Sequence, residues 1–160
     1  MQKTIEMEKN VIIREMKEAD IPFVCDIENS IFSKPWSASS FLSSIKDINN
    51  IYLVVEEEGQ IIGYCGLWGI VGEGQINNVA VKKECRNNGI GRKMLQKLLE
   101  LGKEIGLEEF TLEVRVSNKN AIHLYHSLSF KDAGIRKNFY EEPVEDAIIM
   151  WYRVAEEKSL

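Results

Sequence analysis

The sequence predicts a mixed α/β (α+β) domain: a mostly antiparallel central sheet with a parallel strand-helix-strand crossover and flanking helices. Three observations carry that expectation. Hydrophobic spacing changes from helical to extended at Ile51 and stays extended through three runs parted by glycine turns. A long one-sided helix follows Gly91, and a cleanly alternating run, Phe110-Thr-Leu-Glu-Val-Arg-Val116, follows that helix. The chain has 160 residues, enough to bury a core without staples and too few for two full domains, so residues 1–160 are expected to form a single domain.

Taken in order, Val11-Ile-Ile-Arg14 reads as a first strand, and Asp20 before Ile21-Pro22 reads as a helix start, since proline is tolerated in a first helical turn. Ile21, Val24, Ile27 and Ile31 recur at helical spacing, a loop follows at Ser33-Lys-Pro-Trp36, and Ser37 is placed to cap a second short helix carrying Phe41, Leu42 and Ile45. Strands are expected from Ile51 to Val55, from Gln60 to Trp68 and from Gln75 to Val81, with turns at Gly59 and Gly72-Glu-Gly74. Such short turns imply an antiparallel meander. In the long helix Ile90, Met94, Leu95, Leu98, Leu101 and Ile105 share a face, and Gly106 is placed to end it in a left-handed conformation. Phe110, Leu112, Val114 and Val116 then alternate with Thr111, Glu113 and Arg115, which makes strand, helix and strand one parallel crossover. Ser117 or Asn118 caps a short helix bearing Ala121, Leu124, Tyr125 and Leu128. Two closing strands, from Phe130 to Ile135 and from Asp146 to Arg153, are expected around a loop at Glu141-Glu-Pro143.

Composition narrows the function. Hydrophobic residues at 44% and charged residues at 28% are the balance of a globular protein, and the formal charge of −5 disfavours a grip on a nucleic-acid backbone, so no nucleic acid is expected as partner. An amine or a basic peptide suits that charge better. No run approaches the ~20 apolar residues that span a bilayer, and the charged opening segment lacks a signal-type apolar stretch, so no membrane is expected and the chain is read as cytoplasmic. Cys25, Cys65 and Cys85 are widely separated and read as reduced thiols. His123 and His126 stand three apart on a helix without a third ligand pattern, so no metal is expected.

The most informative stretch is Arg86-Asn-Asn-Gly-Ile-Gly91, between a strand and the long helix. Glycines there let the backbone approach a ligand, and a helix start offers unpartnered N–H groups and a partial positive charge, which together fit a pyrophosphate. Arg86 adds a permanent cation, with Lys82 and Lys83 nearby for a further phosphate. No G-x-x-x-x-G-K-[ST] string occurs, and both Gly89-Ile-Gly91 and Gly72-Glu-Gly74 lack the third glycine of G-x-G-x-x-G, which lowers ATP and NAD as ligands. The alternative is that Gly89 and Gly91 merely make a tight strand-to-helix turn.

These residues resemble the GCN5-related N-acetyltransferase (GNAT) superfamily, whose pyrophosphate motif [Q/R]-x-x-G-x-[G/A] is matched by Arg86-Asn-Asn-Gly-Ile-Gly91. The likeness extends to Ile76-Asn-Asn-Val-Ala-Val81, Leu112-Glu-Val-Arg115, Ser117-Asn118, Asn120-Ala121 and Leu124-Tyr125 with Phe130, which resemble the subgroup that acetylates protein N-termini. Arg136-Lys-Asn-Phe-Tyr140 and Asp146-Ala-Ile-Ile-Met150 resemble the tail of the bacterial ribosomal-protein-alanine N-acetyltransferases. The resemblance implies the GNAT fold, acetyl-CoA as co-substrate and a protein N-terminus, that of a small-subunit ribosomal protein beginning with alanine, as acceptor. It implies cofactor contacts at Val79, Ala80, Val81, Arg86, Asn87, Asn88, Gly89, Ile90, Gly91, Arg92, Asn118 and Asn120. One departure stands out: the family's L-G-F is Leu128-Ser129-Phe130 here, which costs on the order of 1 kcal/mol if position 129 is left-handed.

Acetyl transfer needs a neutral amine, a polarised thioester carbonyl and a proton for the departing thiolate. Glu113, on the polar face of its strand, is the candidate base, a role that the resemblance carries to it; the alternative is a surface carboxylate paired with a lysine. An α-amino group titrates near ~8 and a lysine near ~10.4, so one carboxylate is better matched to a chain terminus. The resemblance makes Tyr125 the donor to the sulfur, with a core tyrosine as the alternative, and gives the N–H groups around Val79 to Val81 to the acetyl carbonyl. Trp36 and Tyr140 resemble positions that wall the acceptor cleft, and Glu28, Glu141 and Glu142 are candidates to meet a basic peptide. Two other readings stay open: the same chemistry on a polyamine, an aminoglycoside or a lysine, and a module that binds acetyl-CoA without turnover.

Overall fold

A computed structural model describes residues 10–158; the opening segment on which the signal-free reading rests, residues 1–9, lies outside them. In chain order the elements are β1 (Val11–Glu15), α1 (Ile21–Ile31), α2 (Ala38–Lys46), β2 (Ile51–Glu57), β3 (Gln60–Ile70), β4 (Glu73–Val81), α3 (Ile90–Glu104), β5 (Glu109–Arg115), α4 (Lys119–Ser127), β6 (Lys131–Glu141), β7 (Val144–Arg153) and α5 (Val154–Lys158). The seven strands form one sheet in the order β1-β2-β3-β4-β5-β7-β6. Every neighbouring pair is antiparallel except β4 and β5. Among the described residues no helix is long and apolar enough to cross a membrane.

The meander follows from its turns. Glu58 and Gly59 have φ of +53° and +78°, and Val71 and Gly72 have +42° and +78°, so each turn sets two successive residues at positive φ, as hairpins with the native strand twist require. Alternation along the strands then makes two cores. Leu53 and Val55 point to the face covered by α3, where Met94, Leu95 and Leu98 pack with Leu67, Phe110 and Leu112. Tyr52 and Val54 point to the other face, against Val24 and Ile27 of α1 and Phe41 of α2. The Ser37 hydroxyl caps α2 by accepting from the Ser40 N–H at 3.2 Å. Gly106 ends α3 at φ +94°, while the Leu107 N–H donates to the Gly102 carbonyl at 3.0 Å.

Two features differ from the expectation. β6 begins at Lys131 and runs on to Glu141, so the loop shrinks to the turn at Glu142-Pro143, and β7 begins at Val144. The register shifts between Asp132 and Gly134 and again between Arg136 and Tyr140, and these bulges break the two-residue period by which a strand is read. The short α5 carries no apolar periodicity; it is held at Glu157, bonded by Lys103 at 3.0 Å and accepting from the Tyr152 hydroxyl.

Candidate active site

The parallel pairing is brief. Glu73, Gly74 and Gln75 pair with Glu109, Phe110 and Thr111, and beyond that point β4 and β5 part. Ile76 and Leu112 therefore diverge, and a cleft of about 550 Å³ opens between them, lined by Asn78, Val79, Glu113, Asn118, Tyr125 and Tyr140 among others. On its other edge β4 stays bonded to β3, with Val79, Ala80 and Val81 opposite Cys65, Tyr64 and Gly63. Main-chain groups of β4 that would have bonded β5 are left facing the cleft.

Residues 86–91 follow at the end of β4. The Arg86 Nε donates to the Val81 carbonyl at 3.0 Å, which ties the loop to the strand. Asn87 and Gly89 have φ of +66° and +78°, and a Cβ built on Gly89 meets no atom within 4 Å, so glycine serves its conformation there and not a tight fit. Gly91 is an ordinary helical residue whose Cβ would sit 3.4 Å from Leu124. The first helical N–H bonded back is that of Lys93, to the Gly89 carbonyl at 3.1 Å, so those of Ile90, Gly91 and Arg92 precede the ladder. Asn88 completes the turn. Lys82, Lys83 and Arg86 line an adjoining hollow of about 560 Å³, together with Asp26 and Ser30 of α1. This donor set fits a diphosphate.

Glu113 and Tyr125 reach the cleft from opposite sides of the sheet. Glu113 lies on the polar face of β5, where its Oε2 is 3.3 Å from the Arg136 Nε. Tyr125 belongs to the core beneath α3, its ring is buried, and burial pushes its phenol above the ordinary value. Among the described residues none hydrogen-bonds its hydroxyl, yet no buried polar side-chain atom is left unsatisfied, so the hydroxyl opens on the cleft. Asn118 is the N-cap of α4, accepting from the Ala121 N–H at 3.2 Å, and Asn120 is exposed as the second residue of that helix. Arg92 is drawn aside to the Ser127 hydroxyl, locking the start of α3 to the end of α4.

The far wall is aromatic. Trp36 packs 5.3 Å from Phe41 and 5.9 Å from Trp68, while Tyr140 stands edge-on to Phe139 at 5.0 Å. Burial, with Glu113 as the next cause, pushes the Tyr140 phenol up to about 12. Over the cleft the segment before α2 meets the β6–β7 turn: the Ser33 hydroxyl donates to the Glu142 carbonyl at 2.6 Å and Lys34 pairs with Glu141. Glu28 lines the cleft too; it is buried, accepting from the Tyr64 hydroxyl and, at 2.9 Å, from the Trp36 N–H, so it fastens the aromatic wall. The structure adds Arg115, whose guanidinium lies 4.2 Å from the Tyr140 ring centre and 3.1 Å from Glu145. It also adds Arg136. Their place on the Glu113 face, at even spacing along β5 and on a bulged β6, was the available signal.

Fold and cleft are those of an N-acetyltransferase. The chain belongs to the acetyltransferase (GNAT) family, whose model matches residues 21–130. A Bacillus subtilis (strain 168) protein, provisionally named an alanine N-acetyltransferase of ribosomal protein bS18, is 39% identical over 151 residues, covering 94% of this chain and all of that one. The [ribosomal protein bS18]-alanine N-acetyltransferase of Escherichia coli (strain K12) is 32% identical over 140 residues, covering 86% of this chain and 94% of that one. The crystal structure of the ribosomal-protein-S18-alanine N-acetyltransferase from Escherichia coli matches with a TM-score of 0.83 at 31% identity, over 90% of this chain and 94% of that one.

Proposed function

We propose that this chain, acting as a single cytoplasmic N-acetyltransferase domain over residues 1–160, transfers acetyl from acetyl-CoA to the N-terminal α-amine of a protein. The acceptor we favour is the N-terminal alanine of a small-subunit ribosomal protein. One observation carries the reading: a cleft between splayed parallel strands is lined by Glu113, Tyr125 and Tyr140, and the strand β4 that forms its wall runs on to a diphosphate-type loop beside a second hollow. The names of the relatives at 39% and 32% identity support the choice of acceptor.

Acetyl-CoA supplies the acetyl group as a thioester. Residues 86–91 and the N–H groups of Ile90, Gly91 and Arg92 hold the pyrophosphate, with Arg86 as counter-charge. Of the main-chain amides from Val79 through Ala80 to Val81, those that point away from β3 face the acetyl carbonyl and draw charge from its oxygen. Glu113 takes the proton of the amine, directly or through water. Tyr125, fully protonated in its buried setting, donates a hydrogen bond to the sulfur as it leaves. Trp36 and Tyr140 hold the acceptor chain in the roofed cleft.

Incubation with acetyl-CoA and peptides copying the N-termini of small-subunit ribosomal proteins should add one acetyl mass to those that begin with alanine. Turnover of a small polyamine far above that of every peptide would contradict the assignment.

A further inference from the structure

We propose that Arg136 is a positioning residue of the acceptor site, holding the Glu113 carboxylate in the cleft and ceding it to the incoming ammonium group. The inference rests on Glu113 being the proton acceptor.

Cross-strand pairing places the two side chains. Glu113 lies opposite Ile149, which lies opposite Gly134; Arg115 lies opposite Ala147, which lies opposite Arg136. Directly paired residues share a face, so Arg136 stands on the Glu113 side of the sheet, two strands or about 10 Å away. The residue between them in its row is Ala147, whose methyl leaves the path open, and the Arg136 Nε arrives 3.3 Å from Glu113 Oε2. The bulge in β6 completes the arrangement. Lys137, Asn138 and Phe139 stand opposite Asp146 alone, with Asn138 at φ +53° and its N–H donating to Asp146 Oδ1 at 2.8 Å. Arg136 and Tyr140, four residues apart, are thereby brought within one step of the ladder on the same face.

The other cations of the cleft are committed: Lys34 pairs with Glu141. Arg115 donates to the Pro143 carbonyl at 2.9 Å and to Glu145 at 3.1 Å, and it stacks on Tyr140. The remaining titratable groups of the cleft are Tyr125, Tyr140, Glu28, Glu141 and Glu142, with Glu145 of β7 beside them, none of them cationic. The ion pair of Arg136 with Glu113 is longer than the 2.7–2.9 Å of a strong charge-assisted hydrogen bond, and the Arg136 side chain is 55% exposed, so it is released at small cost. An α-amine near its ~8 pKa arrives largely as ammonium at neutral pH. Exchange of one cation for another keeps the carboxylate paired throughout, while Arg136 keeps its place over the Phe139 ring, whose centre is 6.0 Å away. The ammonium N–H bond then breaks, an O–H bond forms on Glu113, and the nitrogen keeps the electron pair with which it attacks.

The test compares Arg136→Gln, Arg136→Lys and Glu113→Gln with the unaltered enzyme, measuring kcat and KM for a peptide amine separately. Arg136→Gln should lower kcat about tenfold with KM for the peptide changed less than about twofold, because the carboxylate is no longer held where the amine arrives. Arg136→Lys should recover most of the lost kcat, with coenzyme A affinity and melting temperature unchanged in each variant. An unchanged kcat in Arg136→Gln, or equal losses in the glutamine and lysine variants, overturns the proposal while leaving Glu113 as base. Wild-type turnover by Glu113→Gln overturns both.

Discussion

The ring of Phe130 packs 5.9 Å from that of Tyr125, and the Phe130 N–H donates to the Tyr125 carbonyl at 3.0 Å. The Ser129 N–H donates to the His126 carbonyl at 3.0 Å in the same turn. This is a Schellman motif with its apolar contact, and it ends α4 so that the candidate proton donor is fixed by both backbone and ring.

Removal of that ring should therefore be felt twice. Phe130 is buried and also touches Tyr152, so Phe130→Ala should destabilise by about 3–5 kcal/mol in denaturant unfolding. Phe130→Leu, which keeps most of the volume, should lose less stability and still show reduced kcat, since Tyr125 loses its ring partner.

Tyr125→Phe deletes only the hydroxyl that opens on the cleft. Turnover in a coupled thiol-release assay should fall by about 10²-fold, with little change in coenzyme A affinity or stability. Retention of the full rate would show that another group protonates the sulfur.

Ser129 has φ +76°, a left-handed conformation that disfavours a side chain. Ser129→Gly should stabilise the fold by about 1 kcal/mol, raising the melting temperature by about 2–4 °C in calorimetry, with activity preserved.

Gly89 also lies in the left-handed region, but the space around it is empty. Any effect of Gly89→Ala is then conformational: a loss of about 1 kcal/mol in stability and weaker coenzyme A binding by calorimetric titration. A substitution that binds normally would show that the turn does not govern the ligand.

Acid stability should rest on the base of α1. Arg14 bonds both carboxylate oxygens of Asp20 at 2.8 Å and holds its carboxyl below the usual range. A depressed folded value means stability that is present above the unfolded value near ~3.9 and is lost as pH falls through the folded one. Asp20→Asn should cost on the order of 2 kcal/mol at neutral pH and flatten the stability curve below about pH 4, measured by urea midpoints.

Elements set by local rules were legible in the sequence. The alternation of β5 assigned Glu113 to one face and Leu112 and Val114 to the other, and Ser37, Gly106 and the pair Ser117-Asn118, of which Asn118 is the cap, announced three helix boundaries. Features made by distant chain were not. Glu28 meets Tyr64 across 36 residues and Ser33 meets Glu142 across 109, so no local pattern distinguishes the buried carboxylate or the roof over the cleft. Arg136 is not legible as a site residue for another reason: the bulge that aligns it with Glu113 interrupts the period of the strand on which it stands.

The account turns on which nitrogen receives the acetyl group. A peptide with an N-terminal alanine and an internal lysine, incubated with the enzyme and acetyl-CoA and sequenced by tandem mass spectrometry, separates the two acceptors. Acetyl confined to the α-amine of alanine is the predicted result; acetyl on the lysine with a bare terminus would contradict it.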